Sequence, residues 1–153
     1  MLDSLLALLV SVALVGLAAT TGARFRPDGW YRELNKPTWT PPDTAFPIAW
    51  GILYLLMAIA AWRIYMADDS AWRTASLTIY ALQLLANAAW SWLFFGRKQI
   101  AAALGDIVLL LILIVLAVIV FAKVSSLAAW LMVPYALWVA LALVLNASIW
   151  RQN

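Results

Sequence analysis

The stretch Ile107 to Phe121 reads IVLLLILIVLAVIVF, without one polar side chain. A run that is apolar on every face cannot be the half-wet helix of a soluble domain. It also lacks the every-second-residue alternation of a strand in a membrane barrel. What remains is a helix surrounded by lipid and other helices. Dividing the chain at its charged and proline-rich breaks gives five such runs, at about 4–23, 46–66, 73–95, 100–122 and 127–150. Each approaches the roughly 20 residues needed to cross a hydrocarbon core about 30 Å thick. With 67% hydrophobic and 11% charged residues, the chain reads as an all-α integral membrane protein. Residues 1–153 then form one domain, a bundle of five transmembrane helices with a long structured loop, 24–45, between the first two. Nothing is left over for a soluble catalytic domain.

The first run ends in small residues (Ala18, Ala19, Thr20, Gly22), as a cleaved signal would, but it is preceded by Asp3 and by no Lys or Arg. It is read as a retained helix. The absence of cysteine and histidine excludes thiol chemistry, imidazole ligation of haem and the usual zinc sites. No metal site is expected. Seven cations (Arg24, Arg26, Arg32, Lys36, Arg97, Lys98 and Arg151) share one face, against Arg63, Arg73 and Lys123 on the other. The positive-inside rule then places loop 24–45 and the carboxyl terminus in the cytoplasm of a bacterial cell membrane. That asymmetry accounts for the net charge of +3 without any nucleic-acid partner.

Polar and aromatic groups at membrane depth are the candidate functional residues. Asp106, near the start of the fourth helix, is either functional or close enough to the surface to bond a neighbouring helix or the Arg97 and Lys98 pair. Trp62, Trp72, Trp130 and Trp150 fall at helix ends, where indoles sit among headgroups. Trp138 lies deep, where its N–H is expected to find a partner inside the protein. Gln83, Asn87, Trp90 and Phe94 share one face of the third helix, as do Trp50, Tyr54, Met57 and Ala61 in the second. Tyr135, Trp138, Ala142, Leu145 and Ile149 repeat the pattern in the fifth. Such faces pack in any bundle. Their aromatic density also suits flat slots for a planar apolar ligand. The loop segment WYRELNKPTWTPP (30–42) is too rich in Trp and Pro for a flexible linker. It reads as a lid over such a slot, or as a segment lying on headgroups.

Four motifs carry a resemblance. W-Y-x-x-L-x-K-P-x-W-x-P-P at 30–42, F-P-I-A-W at 46–50, Q-L-x-x-N-x-x-W-S-x-x-F-F at 83–95 and P-Y-x-x-W-x-x-x-A-x-x-L-N at 134–146 resemble the tryptophan-rich sensory protein or translocator protein family, whose animal members are called peripheral benzodiazepine receptors. The resemblance implies a five-helix bundle, usually a homodimer, that needs no cofactor. It would bind tetrapyrroles such as protoporphyrin IX or haem as ligand, under the first loop. The positions that match the family's pocket are Trp30, Tyr31, Trp39, Pro42, Trp50, Tyr54, Asn87, Trp90, Phe94, Asp106, Tyr135, Trp138, Ala142 and Leu145. Trp50 and Trp138 match two tryptophans implicated in light- and oxygen-dependent porphyrin breakdown, and so stand as candidate catalytic residues. Ala147 and Ser148 stand where animal members carry the tyrosine of a sterol motif, which argues against sterol binding.

Three functions follow from this reading: a porphyrin receptor or sensor in contact with membrane lipids, an enzyme that consumes the porphyrin photochemically, and a transporter of porphyrins or other lipidic molecules. Transport stands as the alternative, although the five runs show no paired inverted repeat or pair of broken helices, which argues mildly against it. The small-residue pairs Ala101 and Gly105, or Ala136 and Ala140, are candidate dimer contacts.

Overall fold

The computed structural model describes residues 2–153. Among them there is no strand, and five helices are long and apolar enough to cross a membrane. These are α1 (Leu2–Arg24), α3 (Ala45–Tyr65), α4 (Ala71–Ser91), α5 (Ile100–Ala122) and α6 (Ser126–Gln152), with a short α2 (Gly29–Glu33) in the first loop. The protein is a multi-pass integral membrane protein.

Local signals explain where these helices begin. Ser70 accepts a hydrogen bond from the Arg73 N–H at 3.1 Å. Ser125 does the same for Ala128 at 3.3 Å, and Asp28 for Tyr31 at 3.1 Å. Each satisfies one of the donors that a helix start leaves free. Pro41 and Pro42 precede α3 and Pro47 sits in its first turn, where a missing N–H costs little. Pro134 lies inside α6, on its exposed face.

The helices close a ring. α1 packs on α3, α3 on α6, α6 on α5, α5 on α4 and α4 back on α1, while α3 also touches α4. At the end away from the first loop the ring is filled by side chains such as Met57, Ile64, Ile114, Phe121 and Met132, all fully buried. Side chain to backbone bonds tie it across helices. The Tyr80 hydroxyl donates to the Met57 carbonyl at 3.2 Å, and the Trp62 indole donates to the Ser4 carbonyl at 3.0 Å. Trp62 is therefore a clasp between α1 and α3 rather than a ring lying free among headgroups. Trp72, Trp130 and Trp150 are exposed as expected of interfacial rings. Leu55, Leu85, Ile112 and Leu137 face outward, as lipid contact requires.

The third membrane helix does not end as the regular pattern over 73–95 anticipates. From Trp92 to Gly96 it winds as a π-helix. Wider turns of this kind add a residue to the face and recur at functional sites. Here Phe94 and Phe95 both point inward, their rings 4.9 Å apart and edge to face.

Candidate functional site

At the loop end the ring is hollow. A cavity of about 640 Å³ is lined by all five long helices and by both ends of the first loop, within the roughly 300–1,000 Å³ common for small-molecule sites. α1 contributes small residues (Ala19, Gly22, Ala23), and α6 contributes Trp138, Val139 and Ala142. The walls are aromatic. Trp50 stacks on Tyr54 with centroids 5.3 Å apart, Phe46 meets Trp138 edge on at 5.9 Å, and Trp90 and Phe95 complete the opposite side.

The polar floor is a single chain of bonds. The Tyr54 hydroxyl donates to the Asn87 Oδ1 at 2.8 Å, and the Asn87 Nδ2 donates to the Tyr135 hydroxyl at 3.0 Å. The amide thus holds three helices, α3, α4 and α6, in one register. A second link backs the wall, for the Trp90 indole donates to Asn146 Oδ1 at 3.1 Å and Asn146 Nδ2 donates to the Ile100 carbonyl at 3.2 Å. The indole nitrogens of Trp50 and Trp138 donate to no acceptor among the described residues. The internal partner expected for Trp138 is not there. The side chain instead lines the cavity.

Of the fourteen residues expected at the site, Trp50, Tyr54, Asn87, Trp90, Trp138 and Ala142 line the cavity. The other eight lie outside its wall, each for a packing reason. Tyr31, Phe94 and Leu145 are buried in a separate cluster with Ala103 and Ile149, against which Trp30 packs. The π turn explains Phe94, because it delivers Phe95 to the cavity and leaves Phe94 behind the Trp90 ring, stacked at 5.2 Å. Tyr135 is fully buried beneath the floor. Trp39 and Pro42 are exposed on the loop. Asp106 precedes the wall residue Ile107 and is turned off the cavity, one carboxylate oxygen buried without a partner. The Arg97 and Lys98 pairing considered for it is absent. Lys98 bonds Asp28 at 3.3 Å instead, and the Arg97 guanidinium lies over Trp92.

The loop is anchored beside the cavity, and its two ends frame the mouth. Phe25, Arg26 and Pro27 stand on one side and Asp43 on the other. Phe25 packs against Gly96, where an added Cβ would come within 2.9 Å of its ring, so the close approach depends on glycine. The middle is held on the second cluster. Tyr31 meets Phe95 at 5.5 Å and Phe94 at 6.1 Å, both edge to face. Lys36 closes the end of α2, its ammonium donating to the carbonyls of Tyr31, Arg32 and Leu34. Burial, and next the charge of Asp43, push the Tyr31 hydroxyl up to about 12, so it is neutral at working pH. The Tyr31 N–H is the main cause holding the Asp28 carboxyl below its usual range, ahead of Lys98. Farther along, Asn35 donates to Asn153 Oδ1 at 3.0 Å and accepts from Asn153 Nδ2 at 3.0 Å, which joins the loop to the end of α6.

Phe25, Phe46, Phe95 and the small residues of α1 were not among the expected site residues. Phe46 sits in the motif F-P-I-A-W and Phe95 closes Q-L-x-x-N-x-x-W-S-x-x-F-F, so both carried a signal. Phe25 and the α1 residues had none, since an Ala and Gly face reads the same whether it meets a helix or a void.

Comparison with known proteins agrees with this architecture. A model of the TspO/MBR family matches residues 5–151. The chain is 39% identical over 145 residues to the tryptophan-rich sensory protein of Cereibacter sphaeroides, covering 95% of this chain and 90% of that one. It is 40% identical over 154 residues to the tryptophan-rich protein TspO of Chlorobaculum tepidum, covering 97% and 95%. It is also 39% identical over 126 residues to the translocator protein of Sus scrofa, covering 81% and 75%. With its five-helix ring and its Trp-rich motifs in order along the chain, this protein belongs to the TspO/MBR family.

Proposed function

We propose that this protein is a membrane receptor that binds a planar, largely apolar tetrapyrrole such as protoporphyrin IX in the hollow end of the ring, with the first loop at its mouth on the cytoplasmic side. The observation that carries the reading is the wall. Indole and phenol faces from α3, α4 and α6 surround a cavity of about 640 Å³, and the buried polar groups there are already bonded to one another at Asn87. A flat π-system would replace water against those faces, while Arg26 and Asp43 at the rim serve polar substituents. The name of the Cereibacter sphaeroides relative, a sensory protein, fits a binding role. The placement of Trp50 and Trp138 on one cavity also supports a light- and oxygen-dependent breakdown of the bound ring, with dioxygen as oxidant.

The test is a titration in detergent. Saturable binding should shift the porphyrin Soret band and quench tryptophan fluorescence. Trp138→Ala should weaken it by about tenfold, near the 1.4 kcal/mol that a decade of affinity represents and the upper range of about 0.5–1.5 kcal/mol for one aromatic pair. No saturable response, or one that Trp138→Ala leaves unchanged, would reject the reading.

A further inference from the structure

Below the cavity floor, α4 carries a polar stripe into the closed half of the ring. Ser76, Tyr80, Gln83 and Asn87 are spaced 4, 3 and 4 apart, which places them on one helical face, and all four are buried at 0%, 3%, 0% and 4% exposure. Asn87 is fully bonded, and Tyr80 reaches the Met57 carbonyl. Gln83 is different, because neither its amide nitrogen nor its amide oxygen meets a partner among the described residues, and the Ser76 hydroxyl has none there either. Both residues lie inside a membrane-spanning ring, where unpaired polar groups are costly.

We infer that Gln83 and Ser76 hold a short file of water molecules inside the bundle, continuing the polar floor of the cavity toward the far membrane face. An internal water is retained where two to four polar groups can bond it. The Gln83 amide, the Tyr80 hydroxyl and the Ser76 hydroxyl provide such groups along about 10 Å of helix at 1.5 Å per residue. The Tyr80 to Met57 bond sets the antiparallel register, which brings Ala61 level with Ser76, and α3 presents the small buried residues Ala58, Ala60 and Ala61 over this stretch. The file gives the Tyr54, Asn87 and Tyr135 network a spare hydrogen-bond partner when one of its members turns toward a ligand. It does not depend on which ligand occupies the cavity.

The chain has three glutamines, Gln83, Gln99 and Gln152, beside four asparagines, so isotope labelling of glutamine alone leaves three side-chain amides to resolve by NMR in lipid nanodiscs. The expected result is a direct magnetisation transfer from water to the Gln83 amide protons, assigned by its disappearance in Gln83→Met. Should that variant fail to fold, Gln99→Ala and Gln152→Ala identify the other two amides and leave Gln83 by elimination. A Gln83 amide with no transfer from water overturns the inference.

Discussion

Tyr31→Ala releases the loop between the first two long helices and speeds ligand loss by at least tenfold. The side chain is buried at 3% exposure against Phe94 and Phe95, and removing a packed aromatic ring costs about 3–5 kcal/mol. The remaining ties are weaker. The Asp28 to Lys98 pair is half exposed, so water screens it and it adds little, and the Asn35 to Asn153 bonds are exposed to water. One ring therefore dominates the docking. Two measurements check it: amide exchange across Trp30 to Lys36 should quicken, and the dissociation rate of bound porphyrin should rise while thermal unfolding of the membrane helices changes little. Unaltered exchange would mean that the prolines and the loop's own bonds hold it in place.

Asn87→Leu should be the most damaging change on the cavity wall. It leaves the Tyr54 and Tyr135 hydroxyls without the partner that each now shares. Hydrogen bonds between membrane helices average about 0.6 kcal/mol and reach about 1.7, but a buried hydroxyl left unpaired costs about 1–3 kcal/mol. The orphaned groups decide the outcome, giving a loss of about 2–4 kcal/mol. Tyr54→Phe is milder because Asn87 keeps its bond to Tyr135. Thermal unfolding in detergent should therefore rank wild type above Tyr54→Phe and Tyr54→Phe above Asn87→Leu. Equal midpoints for the two variants would show that the amide does not join the helices.

The fold was legible because its signal is long and redundant. A run such as Ile107 to Phe121 admits one solution in a bilayer, and the proline-rich break at Pro41, Pro42 and Pro47 marks the start of α3. Part of the wall was legible for a related reason, since Trp50, Tyr54, Asn87, Trp90 and Trp138 stand out by type and by helical spacing. The remainder depended on geometry that regular spacing does not encode. A π turn exchanged Phe95 for Phe94 on the cavity face. Trp30 and Tyr31 of the loop, read as part of a lid for the ligand, instead anchor that loop to the residues after α4 and to α5 and α6. Asp106 conformed to the rule that a charge at membrane depth signals function, yet one residue of helical rotation turns it off the cavity that Ile107 lines.

A ligand seated in the hollow of the ring should be displaced when that hollow is filled. Gly51 and Ala142 line it from α3 and α6, and a Cβ at Gly51 meets nothing within 4 Å, so Gly51→Phe and Ala142→Phe add bulk to the cavity while leaving every wall aromatic in place. Porphyrin titration of the two variants should show affinity reduced by tenfold or more, with thermal unfolding midpoints at or above that of the wild type. Folded variants that bind porphyrin as tightly as the wild type would place the ligand elsewhere and contradict the account.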